Sequence, residues 1–322
     1  MDLDRIATEI RRYPGVTRKR IISDVIQHFP IPKESKIIAA MGEDAAVIEH
    51  GGDALLLAAD GIMEDLMNKN AFWAGYCSVL VNVNDIAAMG GLPLAIVSIV
   101  SMRKGEPLTR VLEGMAAGIE KFGVPMVGGH THPDCDYNAV DVAILGYADA
   151  EEVILSSTAQ EGDSIIFAMD ATGKFTPKIP YSWDSTSQKT PERVQEQVRI
   201  MNTMAKKKLL SAGKDISNPG SLGTLGMLLE TSQKGGSVDL RNIPRPENAD
   251  FLQWLLAYQG CGFVVTCRPE HSDEVISLYE GVGLSAAVVG EITSESKLII
   301  GDVKSEAVLF DFESDVITGC RN

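Results

Sequence analysis

Residues 84–93 read Asn84-Asp85-Ile86-Ala87-Ala88-Met89-Gly90-Gly91-Leu92-Pro93, and this stretch decides how the rest of the chain is parsed. Upstream of it, Phe72, Trp73, Tyr76, Leu80, Val83 and Ala87 recur at helical spacing, which predicts a helix over 72–89. Gly90-Gly91 stops that helix, because glycine takes the left-handed conformation of a helix C-terminus without strain, and Pro93 cannot continue it. Asp85 therefore falls inside an otherwise apolar helix, where an unpaired carboxylate is costly to bury. Two explanations stay open: a narrow solvated stripe shared with Asn82, or a bound cation. Phe72, Trp73 and Tyr76 could form an interaction patch, although core packing is the commoner role for such a cluster.

Working outward, apolar runs at 37–40, 55–59, 94–101 and 140–147 read as strands, and a second helix is expected over 108–122. That helix ends at Gly123 and leads into Pro125-Met126-Val127-Gly128-Gly129-His130. Residues 1–30 read as one or two amphipathic helices closed by Pro30 and Pro32. The polar, acidic stretch 149–163 marks a domain boundary. Beyond it come a strand over 164–169 and a helix opened by Thr190-Pro191, a hydroxyl N-cap before proline in the first turn. A short helix over 221–231, a strand over 262–267, a helix over 270–280 and short terminal strands complete the pattern. The expected class is α+β, with a helical segment 1–32, a first domain 33–150 and a second domain 151–322.

Composition narrows the function. A net charge of −15 argues against nucleic acid as a partner, since phosphate backbones call for clustered Lys and Arg. Arg18-Lys19-Arg20 and Lys206-Lys207-Lys208 are short runs and read as solvated helix faces. No apolar stretch has the length of a membrane span, and the first residues lack the pattern of a secretory signal. The five cysteines include no Cys-x-x-Cys pair, which suits free thiols in a reducing cytoplasm.

Five segments place acids or glycines where chemistry is done: Gly42-Glu43-Asp44, Asp60-Gly61, Asn84-Asp85, Gly128-Gly129-His130-Thr131 and Lys214-Asp215 with Asn218-Pro219-Gly220. Each alone is ordinary turn or cap material. Together they suit Mg²⁺, which takes a few carboxylates along with phosphate oxygens and water. Without a cation, converging carboxylates would repel one another and raise their own pKa values. No Walker-type phosphate loop and no kinase glycine loop is present, so any nucleotide would need another architecture.

The ordered series Gly42-Glu43-Asp44-Ala45-Ala46, Ala59-Asp60-Gly61, Asn84 through Pro93, Gly128 through Thr131 and Asp215 through Gly220 resembles one known superfamily. Its members include aminoimidazole ribonucleotide synthetase, thiamine-monophosphate kinase, selenophosphate synthetase and the hydrogenase-maturation dehydratase. Within it, 213–230 and 123–134 look most like the methanogenesis marker 2 group. The resemblance implies a two-domain PurM-like fold, with a mixed, dimer-forming N-terminal sheet and a C-terminal α/β sandwich. It also implies ATP and Mg²⁺ as cofactors, a small-molecule substrate and a homodimer, with no nucleic acid or membrane partner.

Carried over residue by residue, it assigns Glu43, Asp44, Asp60, Asp85 and Asp215 to the metal. Asp60, Gly61, Asn84, Asp85, Gly128, Gly129, His130 and Thr131 go to the nucleotide, and Asp44, Asp85, His130 and Asp215 to catalysis. His130 stands where kinase-like members usually have Asp. Asn218-Pro219 replaces an acid–glycine pair, which counts against thiamine monophosphate as substrate. No cysteine lies in the first 40 residues, which counts against selenophosphate synthesis.

The expected activity is transfer of the γ-phosphoryl group of ATP to a substrate oxygen, giving a phosphorylated product or an activated phosphate intermediate. The rival readings are an ATP-binding subunit without chemistry, a hydrogenase-maturation-like enzyme using Cys320, and a zinc hydrolase built on His130, His132, Asp134 and Cys135. Cys320 reads as an exposed thiol on a frayed tail. Of the five histidines only His271 follows that cluster, too few for a dinuclear zinc site. Lys178, Asp184 and Lys214 are candidates for a general base only because they fall in polar stretches of the second domain, with solvated surface charge as their ordinary reading.

Overall fold

Three short helices open the chain: α1 (Leu3–Arg12), α2 (Pro14–Thr17) and α3 (Ile21–His28). Asp2 caps the first, its carboxylate accepting the Arg5 N–H, and Leu3, Ile6, Ala7 and Ile10 form its buried stripe. The computed structural model describes residues 1–322 apart from 33, 34, 106, 107 and 322. The expected domain start at 33 and the last residue, Asn322, thus lie outside the described residues.

Next come β1 (Ile37–Ala39), β2 (Ala46–His50), β3 (Asp53–Ile62), α4 (Glu64–Lys69) and α5 (Ala71–Ala88). They are followed by β4 (Leu92–Arg103), α6 (Thr109–Phe122), β5 (Met126–Cys135) and β6 (Ala139–Asp149). These six strands make one mixed sheet in the order β1-β2-β3-β6-β4-β5. Only β4 and β5 run parallel, and α6 supplies the crossover that a parallel pair requires. Along β6, Val140, Val142, Ile144 and Ala148 are buried under the helices, while Asp141 and Tyr147 face outward. That alternation gives the sheet one covered face and one open face.

The sequence reading found four strands here. It missed β2, and it took Gly128-Gly129 for a turn, whereas both glycines lie within strand β5. The physical reason lies in the neighbouring strand: a Cβ on Gly129 would sit 2.2 Å from the Ser98 carbonyl oxygen, so the strand pairing itself demands glycine.

The remainder builds a seven-stranded sheet from β7 (Ser164–Met169), β10 (Ala212–Asp215), β11 (Gly235–Asp239), β12 (Gly262–Cys267), β13 (Ser285–Thr293), β14 (Lys297–Gly301) and β15 (Glu306–Asp311). Its order is β10-β12-β7-β13-β11-β14-β15, and β8 (Lys174–Phe175) with β9 (Trp183–Asp184) forms a separate small ribbon. Helices α7 (Pro191–Lys206), α8 (Gly220–Ser232), α9 (Phe251–Leu255) and α10 (Ser272–Gly281) complete the chain. In central strand β7, Ile166 and Ala168 join one core while Ile165, Phe167 and Met169 join another. Burial on both faces explains its unbroken apolar run.

Helix α5 joins the two halves. It packs on α6 so closely that a Cβ on Gly75 would fall 2.1 Å from the Val111 carbonyl oxygen. Its polar side chains reach across to the second half: Trp73 Nε1 donates to Ser182 Oγ at 2.7 Å, and Asn84 Nδ2 to the Gly260 carbonyl at 3.2 Å. Trp73 and Tyr76 are buried, so they are core rather than an interaction patch. Asn82 is also fully buried, its Nδ2 donating to the Ser78 carbonyl. The solvated stripe considered for Asp85 and Asn82 therefore does not exist.

Candidate active site

Three elements converge at the C-terminal end of α5. The turn between β1 and β2 brings Asp44, the last turn of α5 brings Asp85, and the end of β10 brings Asp215. A carboxylate oxygen from each lies within 4.8 Å of the other two. Among the described residues, this is the one group of three metal-ligating side chains that converges so closely. Asp85 is also poorly placed by its helix, because the carbonyl-rich C-terminus repels a negative charge.

Burial raises the pKa of all three acids, most strongly at Asp85 and Asp215, and repulsion adds to it: from Glu43 at Asp44, from Asp60, Asp215 and Asp44 at Asp85, and from Asp44 and Asp60 at Asp215. Asp60, near the end of β3, is raised by the same two causes and repels Asp85 in turn. The counter-charge is Lys214. Its Nζ lies 2.5 Å from Asp44 Oδ1 and 2.9 Å from the Gly42 carbonyl oxygen, and the Asp215 N–H donates to Asp44 Oδ2 at 3.3 Å. These bonds dock the turn onto β10. Attraction to Asp44 and its neighbours outweighs burial and raises the lysine pKa, so it stays cationic.

Lys214 is buried, not the solvated surface charge of the sequence reading, and its charge removes it as a general base. Lys178 is exposed, and Asp184 is occupied capping the N–H groups of Thr186 and Ser187. Nothing local in Lys214-Asp215 distinguishes a buried ion pair from a polar loop; the pairing of β10 with β12 decides it.

Glu43 stands beside this cluster without joining it: Oε2 accepts the Ser156 N–H at 2.5 Å, while Oε1 is buried with no hydrogen-bond partner among the described residues. A cleft of about 630 Å³ opens next to the acids, lined by Asp60, Gly61, Asn84, Asp215, Asn218 and Tyr258 among others. Arg18 and Lys19 line it too, which corrects their reading as a merely solvated face. The sequence signal was weak, since a basic run on a short helix carries no address.

Gly128, Gly129, His130 and Thr131 are placed elsewhere. They are exposed on β5, the sheet edge, and His130 shares a register row with Ile99, Asp141 and Gly61. Three strand spacings of about 4.8 Å put His130 roughly 14 Å from Gly61 within one chain. The His130 and His132 rings meet edge to face at 4.5 Å, and no third metal-ligating side chain among the described residues joins them.

Cys320 is a correction. It is buried, not frayed, and a Cβ on Gly42 would fall 2.8 Å from its Cβ. The buried Glu230 carboxylate anchors the preceding residues, accepting from the N–H groups of Ile317, Thr318 and Gly319 and from Thr318 Oγ1. No helix of the described residues is long and apolar enough to cross a membrane.

Comparison with known proteins agrees with this architecture. Residues 42–148 match the N-terminal domain of AIR synthase related protein, and 152–303 match its C-terminal domain. The chain is 46% identical to an uncharacterized protein of Methanocaldococcus jannaschii, over 99% of this chain and 100% of that one. It is 39% identical to an uncharacterized protein of Synechocystis, over 87% and 86%. The phosphoribosylformylglycinamidine synthase subunit PurL of Ruegeria pomeroyi is 25% identical over 97% of this chain but only 49% of its own length. The chain thus spans about half of that relative.

Among solved structures, T. maritima PurL complexed with ADP superposes with a TM-score of 0.78 at 16% identity, over 95% of this chain and 50% of that one. AaThiL complexed with AMPPCP and TMP gives 0.67 at 17%, over 90% and 96%. The chain belongs to the AIR synthase-related family and has the two-domain PurM-like fold.

Proposed function

From that membership and the convergence of Asp44, Asp85 and Asp215, we propose a cytoplasmic, Mg²⁺-dependent enzyme that transfers the γ-phosphoryl group of ATP to a small molecule. The bond from the γ-phosphorus to the β-phosphate oxygen breaks and a bond to a substrate oxygen forms, releasing ADP and a proton. The acid cluster is the observation that carries this reading. Its donors are hard carboxylate oxygens, their charge state is strained by burial and repulsion, and one lysine does not neutralise them. Such a set fits Mg²⁺ and fits poorly with no cation.

Asp44, Asp85 and Asp215 would hold the metal, with Asp60 and Asn84 on the cleft wall beside it and Glu43 behind. Bound there, Mg²⁺ would neutralise the triphosphate charge. Lys214 holds Asp44 in place and keeps its proton. Asn84, tied to the Gly260 carbonyl, fixes the second-domain wall against α5. Gly128, Gly129, His130 and Thr131 belong to this reading only in a homodimer, since one chain leaves them far from the acids. The open sheet face supports such a dimer: Leu57, Val97, Ile99, Val127 and Tyr147 are exposed there, an apolar surface that a second copy would cover.

The test is ligand-induced stabilisation. Mg-ATP at about 100 times Kd should stabilise the fold by about 2.7 kcal/mol, and chelation of the metal should remove most of that. Asp85→Asn, which keeps the shape and removes the charge, should weaken the shift. An equal response in variant and parent sinks the metal reading. ADP release across a metabolite library then separates an enzyme from a binding subunit.

A further inference from the structure

We infer that residues 317–321 form a positioning strap for Asp44, so that docking of this segment sets how tightly the acid cluster holds its cation; this rests on the metal reading above. Asp44 is carried by the turn between β1 and β2, which lies outside any strand. Polar bonds give that turn one support. Lys214 Nζ and Ser156 Oγ donate to the Gly42 carbonyl at 2.9 and 3.2 Å, and the Ser156 N–H donates to Glu43. Packing gives it a second. A Cβ on Gly42 would fall 2.8 Å from Cys320 Cβ and 3.2 Å from Thr231 Cγ2, and its φ of +95° is the left-handed region that favours glycine. Gly42 is thus seated directly against the strap.

Residues 317–321 belong to no helix or strand, so no ladder of backbone bonds keeps them there. One carboxylate does most of it. Glu230, buried in the last turn of α8, accepts from the N–H groups of residues 317–319 and from Thr318 Oγ1. Thr318 Oγ1 in turn accepts the Cys320 N–H at 3.1 Å, which links the anchor to the residue that meets Gly42. The helix dipole opposes a carboxylate at the C-terminus of α8, so the helix gains nothing from Glu230 and the strap is what it serves. The outer cover is thin. A Cβ on Gly319 would fall 2.7 Å from Ser23 Cβ, which places α3 over the strap, and no residue of α3 is buried. The strap can therefore come away as a local unit while both sheets stay folded. The bonds from Lys214 and Ser156 would remain, but Gly42 would lose one wall. A ligand on a turn with fewer restraints is less well ordered for its cation.

Mn²⁺, an oxygen-seeking ion whose EPR signal separates free from bound metal, is the probe, titrated into the full chain without nucleotide. The parent should bind it and Asp85→Asn should not, which places the ion on the acid cluster. Glu230→Ala should weaken binding by about tenfold or more, the usual effect of removing an outer support of a metal ligand. Thr318→Val, which keeps the side-chain shape and removes the hydroxyl, should act in the same direction to a smaller extent. Leu284→Ala thins the other core, the one Ile317 does not join, and should lower Tm without moving the Mn²⁺ affinity. Coupling is reciprocal, so saturating Mg²⁺ should slow thiol labelling of Cys320 in Glu230→Ala and leave Cys135 unchanged. Strap variants that bind Mn²⁺ as tightly as the parent, or no more weakly than Leu284→Ala, make the segment purely structural and overturn the inference. Labelling of Cys320 that ignores Mg²⁺ does the same. A parent that binds no Mn²⁺, or binds it equally after Asp85→Asn, overturns the metal reading itself, and the inference falls with it. Circular dichroism checks folding, and if Glu230→Ala does not fold, Thr318→Val decides both measurements.

Discussion

Lys214 Nζ lies 2.5 Å from Asp44 Oδ1, with both side chains more than nine-tenths removed from solvent. The pair joins a turn of the first sheet to an edge strand of the second. It holds one positive charge among acids that burial and repulsion already strain. The site is thus built around a shortage of positive charge.

Removing that lysine should expose the shortage. Lys214→Met leaves Asp44 buried without its partner, a change that typically costs about 3–5 kcal/mol. Urea unfolding should register the loss, and millimolar Mg²⁺ should restore part of it. A variant as stable as the parent in metal-free buffer would show that the pair contributes nothing.

The acids should respond to pH in a defined direction. An aspartate whose folded pKa lies above its unfolded value of about 4 binds its proton more tightly when folded. Its contribution to stability is therefore present at low pH and is lost as pH rises through the folded value. Metal binding must displace those protons, so Mg²⁺ affinity should increase with pH. Calorimetry in two buffers of different ionisation enthalpy measures the protons released; a heat independent of buffer contradicts the raised pKa values.

Asp85→Asn should act oppositely on the apo fold and on the complex. Without ligand, removing the like charge should raise Tm by about 2 °C or more at neutral pH, the scale of 1 kcal/mol in a domain of this size. A fall in apo Tm at neutral pH would mean that Asp85 makes a favourable ionic contact the geometry does not contain.

Glu230 should govern access to Cys320. Glu230→Ala leaves buried donors of residues 317–319 without an acceptor, a loss on the order of 3 kcal/mol. In the native parent Cys135, the one cysteine that is not fully buried, should react with a thiol reagent. In the variant Cys320 should react as well. Unchanged labelling would mean that the anchor does not hold the segment.

The open face of the first sheet gives an independent test of assembly. Val127 and Ile99 are 66% and 48% exposed there. A Val127→Glu substitution places a charge on this surface and should convert a dimer to a monomer in sedimentation, with little loss of fold. A parent that sediments as a monomer at micromolar concentration removes the dimer and, with it, the nucleotide role of His130.

What the sequence determined by itself is what local periodicity and punctuation encode. Helix α5, its glycine stop, strands β3, β4, β6 and β7 and the Thr190-Pro191 start of α7 are all written in residue spacing. The ordered acid motifs carried the family. Tertiary structure alone decided which of those motifs meet. Asp44, Asp85 and Asp215 come together because a turn, a helix end and a strand end from two sheets converge, while His130 lies three strands away from Asp60-Gly61. It also turned Lys214 and Cys320 from surface groups into buried ones and put Arg18 and Lys19 on a cleft wall. Burial and charge pairing are sums over neighbours distant in sequence, and no window along the chain contains them.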